Sequence, residues 1–172
     1  MNNFFKKRNK GDSLIEMLIY VVLFTIFSIV FINSVMIMTK TYTRIRGNNA
    51  ILDSSTSSMN RITSEIRNAV SVDSAHSTLD ASPGVLTLNT TDSNGNAKVV
   101  KFDVSNGAVR LTENSVVTGN ITSSNVTVTN LVFRLITTIH GYAIKVEMTL
   151  RDNKITTHTE NFYDTSILRG AY

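Results

Sequence analysis

The sequence contains no cysteine and a single proline, Pro83. Without cysteine the chain can form neither disulfide bonds nor thiolate metal sites, so its fold must be held together by packing. Charged residues are also missing from Met17 to Thr39, a run of 23 residues. At about 1.5 Å per residue this run gives a helix of about 34 Å, which is long enough to span a hydrocarbon core of about 30 Å.

The charge of the chain is unevenly distributed. There are 17 basic and 13 acidic residues, a formal net charge of +4. Four of the basic residues precede Gly11, namely Lys6, Lys7, Arg8 and Lys10. After Gly11 there are therefore 13 basic and 13 acidic residues. A broad nucleic-acid-binding face is therefore not indicated. By the positive-inside rule, the same four residues place the N-terminus in the cytoplasm and the chain after the span outside it.

The start of the apolar run differs from an ordinary secretory signal. Such a signal has an apolar region of about 7 to 15 residues followed by a small-residue cleavage site, whereas this run is longer and its only small-residue punctuation is Gly11, on the cytoplasmic side. Glu16 stands at the start of the run, where an ionised carboxylate is costly unless it is paired or reaches the interface. The residues alone leave two interpretations: a signal anchor with Glu16 at headgroup depth, or a helix whose Glu16 pairs with a cation of another chain.

The string KGDSLIEML, from Lys10 onward, resembles the class III signal of type IV pilins and type II secretion pseudopilins. In that family a basic leader ends in glycine, and a glutamate is the fifth residue after the cleavage point, at the start of the membrane helix. The resemblance implies that a prepilin peptidase cleaves after Gly11, that Asp12 becomes the N-methylated terminus, and that Glu16 is the assembly glutamate. The family usually has Phe or Met where Asp12 stands, and it frequently has a proline within the span.

The resemblance also implies a function. It indicates a structural minor pilin or minor pseudopilin of the J-type kind, assembled through its N-terminal helix, with no catalytic residue, no metal and no cofactor. The implied partners are other pilin or pseudopilin subunits, the prepilin peptidase, an inner-membrane assembly platform and, before assembly, membrane lipid. The implied location is the bacterial cytoplasmic membrane, as a single-pass protein whose extracytoplasmic head joins a periplasmic or cell-surface filament. Two alternatives stay open: an adhesive or DNA-uptake minor pilin, and a signal-anchored envelope protein outside any filament.

The helical pattern continues after the membrane segment. Apolar residues recur at heptad spacing: Ile45, Leu52, Met59 and Ile66. This spacing predicts an amphipathic helix over residues 40–72, and we expect its apolar stripe to pack under the chain's own head. Weak helix formers around Gly47 and in the Ser/Thr run at 54–58 predict a loosened or bent segment.

Period-2 alternation predicts an antiparallel β head over residues 73–172. Asn94-Gly95 and Asn106-Gly107 lie between alternating segments and are strong hairpin signals. Residues 142–150 alternate between an apolar and a polar face, which predicts a strand with one exposed face. In the preceding strand the alternation slips near Asn130, where we expect a bulge. A last strand is expected over 155–162. The closing pattern also resembles the C-terminal sheet of J-type pseudopilins. The predicted class is α+β, with a leader over residues 1–11 and a long helix after it. The helix spans the membrane over 12–39 and is amphipathic over 40–72, and it packs on the β head.

Few residues outside this frame suggest chemistry. The three histidines are scattered and are expected at the surface: His76, His140 and His158. The segment 92–96 has the look of a calcium loop, but Ala97 and Asp103 stand where an EF-hand needs Gly and Glu, so a hairpin turn is expected. No nucleophile elbow or phosphate loop is found, and an enzyme is not expected.

Overall fold

The N-terminal part of the chain forms one long helix. In the computed structural model, which describes residues 12–139 and 141–169, helix α1 spans Asp12–Asn68. No proline interrupts this stretch, and its apolar first part favours a helix that satisfies its own backbone groups. The helix is continuous through Gly47 and through residues 54–58, so the loosening predicted there is not seen.

Strands follow α1 in the described part of the chain. Their bounds are β1 Ser71–Val72, β2 Leu86–Thr91, β3 Ala97–Ser105, β4 Ala108–Glu113, β5 Val116–Asn120, β6 Val126–Thr138, β7 Gly141–Asp152 and β8 Thr159–Ile167. They form a five-stranded sheet in the order β1-β2-β3-β4-β5 and a three-stranded sheet in the order β6-β7-β8, with every paired neighbour antiparallel. The α+β class predicted from the sequence is confirmed.

Several sequence-predicted turns are confirmed. Asn106 and Gly107 join β3 to β4 with positive φ angles of 51° and 73°, which explains the choice of these two residue types. Between β2 and β3, the Asp92 carboxylate accepts bonds of 2.8 Å from the backbone N–H groups of Asn94 and Asn96, so this segment is a hairpin turn. The register of β6 and β7 shifts between Val128 and Asn130, where the bulge was expected.

The end of the chain differs from the prediction. The last strand begins at Thr159 instead of residue 155, because residues 153–158 form a closed turn. In that turn Lys154 N donates to Asp152 Oδ1 at 2.7 Å, and Asp152 N donates to the His158 carbonyl at 3.1 Å. His158 N also donates to the Ile155 carbonyl at 2.8 Å, so the chain reverses within this turn and pairing with β7 begins at Thr159, opposite Arg151.

The core lies where the second part of α1 meets the inner faces of both sheets. Ile51, Ile62 and Ile66 are fully buried in one cluster with Phe102 of the larger sheet and Phe133 of the smaller one. The compact unit that contains the strands accordingly begins in the helix, at Arg44, and not after it.

The helix face that packs on the sheets matches the predicted heptad stripe in its second half only. Ile45 and Leu52 are about half exposed, whereas Met59 and Ile66 are buried. A straight helix repeats every 3.6 residues, so a strict heptad drifts off any one face. The buried face instead includes three small polar side chains, Ser54, Ser55 and Ser58.

These serines explain how weak helix formers are kept helical. The Ser58 hydroxyl donates to the Ser54 carbonyl at 2.7 Å, so it needs no partner from the sheet. The Ser54 hydroxyl accepts from the Ser123 backbone N–H at 3.0 Å, which ties the helix to the segment before β6. Further along, Thr63 donates to Asp164 Oδ2 at 2.8 Å and so ties the helix to β8. Tertiary packing therefore overrides the weak local propensity of this segment.

Candidate functional site

The first part of α1 presents a continuous apolar surface. Its large side chains from Leu14 to Met38 are exposed, with Phe24 at 76% and Phe27 at 77%. Within the residues described, α1 is the one helix long and apolar enough to cross a membrane. Because exposed apolar surface of this extent is unfavourable in water, lipid or neighbouring helices must cover it. The helix is consistent with a single-pass membrane anchor.

Hydroxyl groups in this apolar stretch are satisfied within the helix. Four of them donate to the backbone carbonyl one turn earlier, at 2.7 to 2.9 Å: Thr25, Ser28, Ser34 and Thr39. A polar group in hydrocarbon is costly unless it is hydrogen-bonded, and these bonds meet that need without a second chain.

Glu16 is the only charged residue of the sequence between Ser13 and Lys40. In the structure it is exposed on the first turns of α1, and its Oε1 accepts a bond of 3.0 Å from the Tyr20 hydroxyl. The two side chains are one helical turn apart, which is the spacing at which helix neighbours meet. Tyr20 was missed by the sequence analysis, although its i,i+4 spacing from Glu16 was the available signal. Because the phenol is neutral, this bond does not neutralise the negative charge of Glu16.

The other two sequence-predicted site residues lie at the edge of the described chain. Asp12 is the first residue of α1, and its backbone is helical. Gly11, and with it the expected cleavage point, lies outside the described residues. Cleavage after Gly11 and methylation of Asp12 stay predictions.

Several cationic side chains of the compact unit that begins at Arg44 lie close to carboxylates. Six of them are within 4.0 Å of a carboxylate oxygen: Arg61, Lys98, Lys101, Arg110, Arg134 and Lys145.

The strongest of these networks lies on the outer face of the smaller sheet. Glu147 accepts from Arg134 at 3.0 Å and 3.2 Å and lies 2.8 Å from the Lys145 ammonium. Arg134 also reaches Asp80 at 3.2 Å, which fixes the loop before β2 to β6. The hydrogen bonds from Arg134 and then Lys145 lower the pKa of Glu147 to about 2. The two cations and two carboxylates of this network balance one another in charge.

A groove lies on the outer face of the larger sheet. Thr87, Lys101 and Thr112 on adjacent strands line it, and the short 3₁₀ helix Ser74–His76 and Ser115 lie at its sides. The Asp73 carboxylate caps this 3₁₀ helix and binds His76 Nδ1 at 2.7 Å, and that bond lowers the pKa of Asp73.

The histidines do not assemble into a metal site. His76 is paired with Asp73, while His158 Nε2 lies 4.0 Å from Glu160 Oε1. His140 lies outside the described residues. Over residues 12–139 and 141–169, no group of three or more His, Asp and Glu side chains is arranged to hold a metal ion.

No protein-family model, curated protein or solved structure matches this chain. The exposed apolar helix and the carboxylate at its start are the features of the chain that bear most directly on its function.

Proposed function

We propose that the chain is a structural minor pilin or pseudopilin subunit of a type IV pilus or type II secretion-like filament, assembled through its N-terminal helix. Glu16 carries the proposal. Its carboxylate lies on an apolar, exposed helix, and no ion pair within the described residues neutralises it. A charge placed there is costly, and a cation of another subunit would relieve that cost.

The parts of the chain act in sequence in this proposal. The basic leader keeps the N-terminus in the cytoplasm, and a prepilin peptidase cleaves after Gly11 and methylates Asp12. The helix is held in the bacterial inner membrane until the assembly platform transfers it into the filament. There Glu16 pairs with the N-terminal amine of a neighbouring subunit, and the head stays extracytoplasmic.

Asp12 gives the mature terminus an unusual charge. With Asp12 and Glu16 one turn apart, each subunit brings two carboxylates and one amine to the contact. Asp12 partly neutralises its own amine and so weakens the bond to a neighbour's Glu16. This suits a sparse minor subunit better than a polymerising major one. In the family the tip subunit is the one that lacks the glutamate, so retention of Glu16 favours a position below the tip.

The proposal is tested by mapping the mature N-terminus and by following incorporation. Intact-mass analysis of the membrane protein should show the loss of residues 1–11. Glu16→Gln should still be processed but should be missing from the sheared filament fraction, whereas Asp12→Phe should incorporate at least as well as the unmodified chain. An unprocessed mass in cells with active prepilin peptidase would instead indicate the signal-anchored envelope protein.

A further inference from the structure

The Glu16 carboxylate has an intramolecular partner that the assembly role does not require. Tyr20 Oη donates to Glu16 Oε1 at 3.0 Å, and both side chains are exposed on the same side of α1. Tyr20 lies inside the uncharged run that begins at Met17, where its hydroxyl also needs a partner. One bond therefore satisfies two polar groups at the start of an apolar helix.

Tyr20 differs from the other hydroxyl residues of this segment. Thr25 and Ser28 donate to backbone carbonyls of their own helix, at 2.7 Å and 2.8 Å. A tyrosine hydroxyl stands at the end of a long rigid ring, and here it reaches a side chain one turn earlier. Its bond therefore fixes the position of the one charged group in the segment.

The chemistry of the bond leaves Glu16 able to bind a cation. A carboxylate has two oxygens and about four lone-pair sites, and Tyr20 occupies one of them, on Oε1. The phenol adds no charge, so the negative charge is retained. With Oε1 held, the rotation of the carboxylate is restricted and Oε2 is presented to a neighbour in one orientation.

We propose that Tyr20 is a positioning residue for assembly: its hydroxyl holds Glu16 Oε1 on the helix surface and thereby presents Oε2 to the amine of the neighbouring subunit. This inference rests on the proposed function of Glu16. Before assembly, the same bond reduces the cost of keeping the carboxylate at the edge of the apolar segment.

Two substitutions distinguish a hydrogen-bonding role of Tyr20 from a role in which only its ring packs, because the two roles predict opposite effects on assembly. Tyr20→Phe keeps the ring and removes the donor, whereas Tyr20→Gln removes the ring and keeps a donor at i,i+4 spacing from Glu16. Thr25→Val is the matched control, because it removes a hydroxyl from the same helix that bonds to the Val21 carbonyl and not to Glu16.

The experiment uses the full chain in cells that contain its own assembly machinery, with the share of the protein in sheared filaments as the readout. Tyr20→Phe should reduce incorporation about three- to tenfold, as expected for the loss of one solvent-exposed hydrogen bond of ordinary net strength. Tyr20→Gln should restore most of it, and Thr25→Val should leave it unchanged. In parallel, infrared spectra are recorded of the full chain in lipid nanodiscs, and the carboxyl band that disappears in Glu16→Gln is assigned to Glu16. This band should shift in Tyr20→Phe but not in Thr25→Val.

The outcomes separate the two proposals. If Glu16→Gln incorporates normally, the assembly role of Glu16 is wrong and the role of Tyr20 falls with it. If Glu16→Gln fails but Tyr20→Phe incorporates normally, only the role of Tyr20 is overturned. If Tyr20→Phe incorporates normally and Tyr20→Gln fails, the role of Tyr20 is ring packing. If the infrared band does not shift in Tyr20→Phe, the hydrogen bond from Tyr20 to Glu16 does not form in the membrane.

Discussion

Gly47→Ala should destabilise the protein, although alanine is the better helix former. Gly47 is buried in α1, and a Cβ added there would overlap Asp152 Oδ2 and would lie 3.0 Å from Asp152 Cγ. Asp152 is 3% exposed, and its Oδ1 already accepts from Lys154 N at 2.7 Å. The carboxylate therefore cannot move aside without disturbing the turn after β7.

The opposing contributions fix the sign of the effect. Alanine in place of glycine in a helix interior favours folding by about 1 kcal/mol. Overpacking costs about 1–3 kcal/mol, and loss of the bond between Lys154 and Asp152 costs about 1 kcal/mol more. We therefore expect Gly47→Ala to lower the free energy of unfolding by about 1–3 kcal/mol.

The assay is urea unfolding of the full chain in detergent micelles, followed by far-ultraviolet circular dichroism. Asn48→Ala is the matched control, since Asn48 is the exposed neighbour on the same helix and should change stability by no more than about 0.5 kcal/mol. The double variant Gly47→Ala/Asp152→Ala should recover stability relative to the sum of the single changes, because the overlap is removed. A Gly47→Ala protein as stable as the unmodified chain, or more stable, would refute the close approach.

Three further results are expected. Ile62→Ala should lower the free energy of unfolding by about 2–5 kcal/mol in urea titrations, because Ile62 is fully buried. Leu52→Ala, at a half-exposed site of the same helix, should lower it by well under half of that. Equal losses would contradict the buried face assigned to α1. The hydrogen bonds from Arg134 and Lys145 lower the pKa of Glu147 from 4.5 to about 2, so their stabilisation is complete above about pH 4.5 and is lost as the pH falls toward 2. Glu147→Gln should therefore flatten the dependence of the unfolding free energy on pH in this window, and an unchanged slope would argue against the network. A fragment of residues 44–169 should give a cooperative thermal transition by circular dichroism. A fragment of residues 73–169 should not, because it lacks the buried isoleucines of α1. Equal transitions of the two fragments would show that the helix is dispensable for the core.

Much of the local structure was predictable because the signals are contained in short stretches. The Asn106-Gly107 hairpin follows from two residue types that accept positive φ, and the bulge before Asn130 follows from a slip in period-2 alternation. The hairpin between β4 and β5 was missed because its turn residues, Asn114 and Ser115, both adopt positive φ without a glycine. Nothing in the pair Asn-Ser separates such a turn from an ordinary loop.

Two features follow from the amino-acid sequence without any knowledge of the fold: the membrane-length helix and the carboxylate at its start. Both are local properties: 23 uncharged residues make a helix long enough to span a membrane, and Glu16 is costly beside them because of its immediate surroundings. The α+β class also follows from the sequence, through the change from helical to alternating periodicity near Asp73.

The buried face of α1, in contrast, is set by tertiary contacts. Burial depends on surfaces far away in the chain, so the heptad residues Ile45 and Leu52 stay exposed while Ser54 and Ser58 pack beneath the sheets. Gly47 lies against Asp152, more than one hundred residues later, a contact that no local pattern encodes. The bond from Tyr20 to Glu16 is local in sequence, yet it depends on side-chain orientations that spacing permits and does not fix.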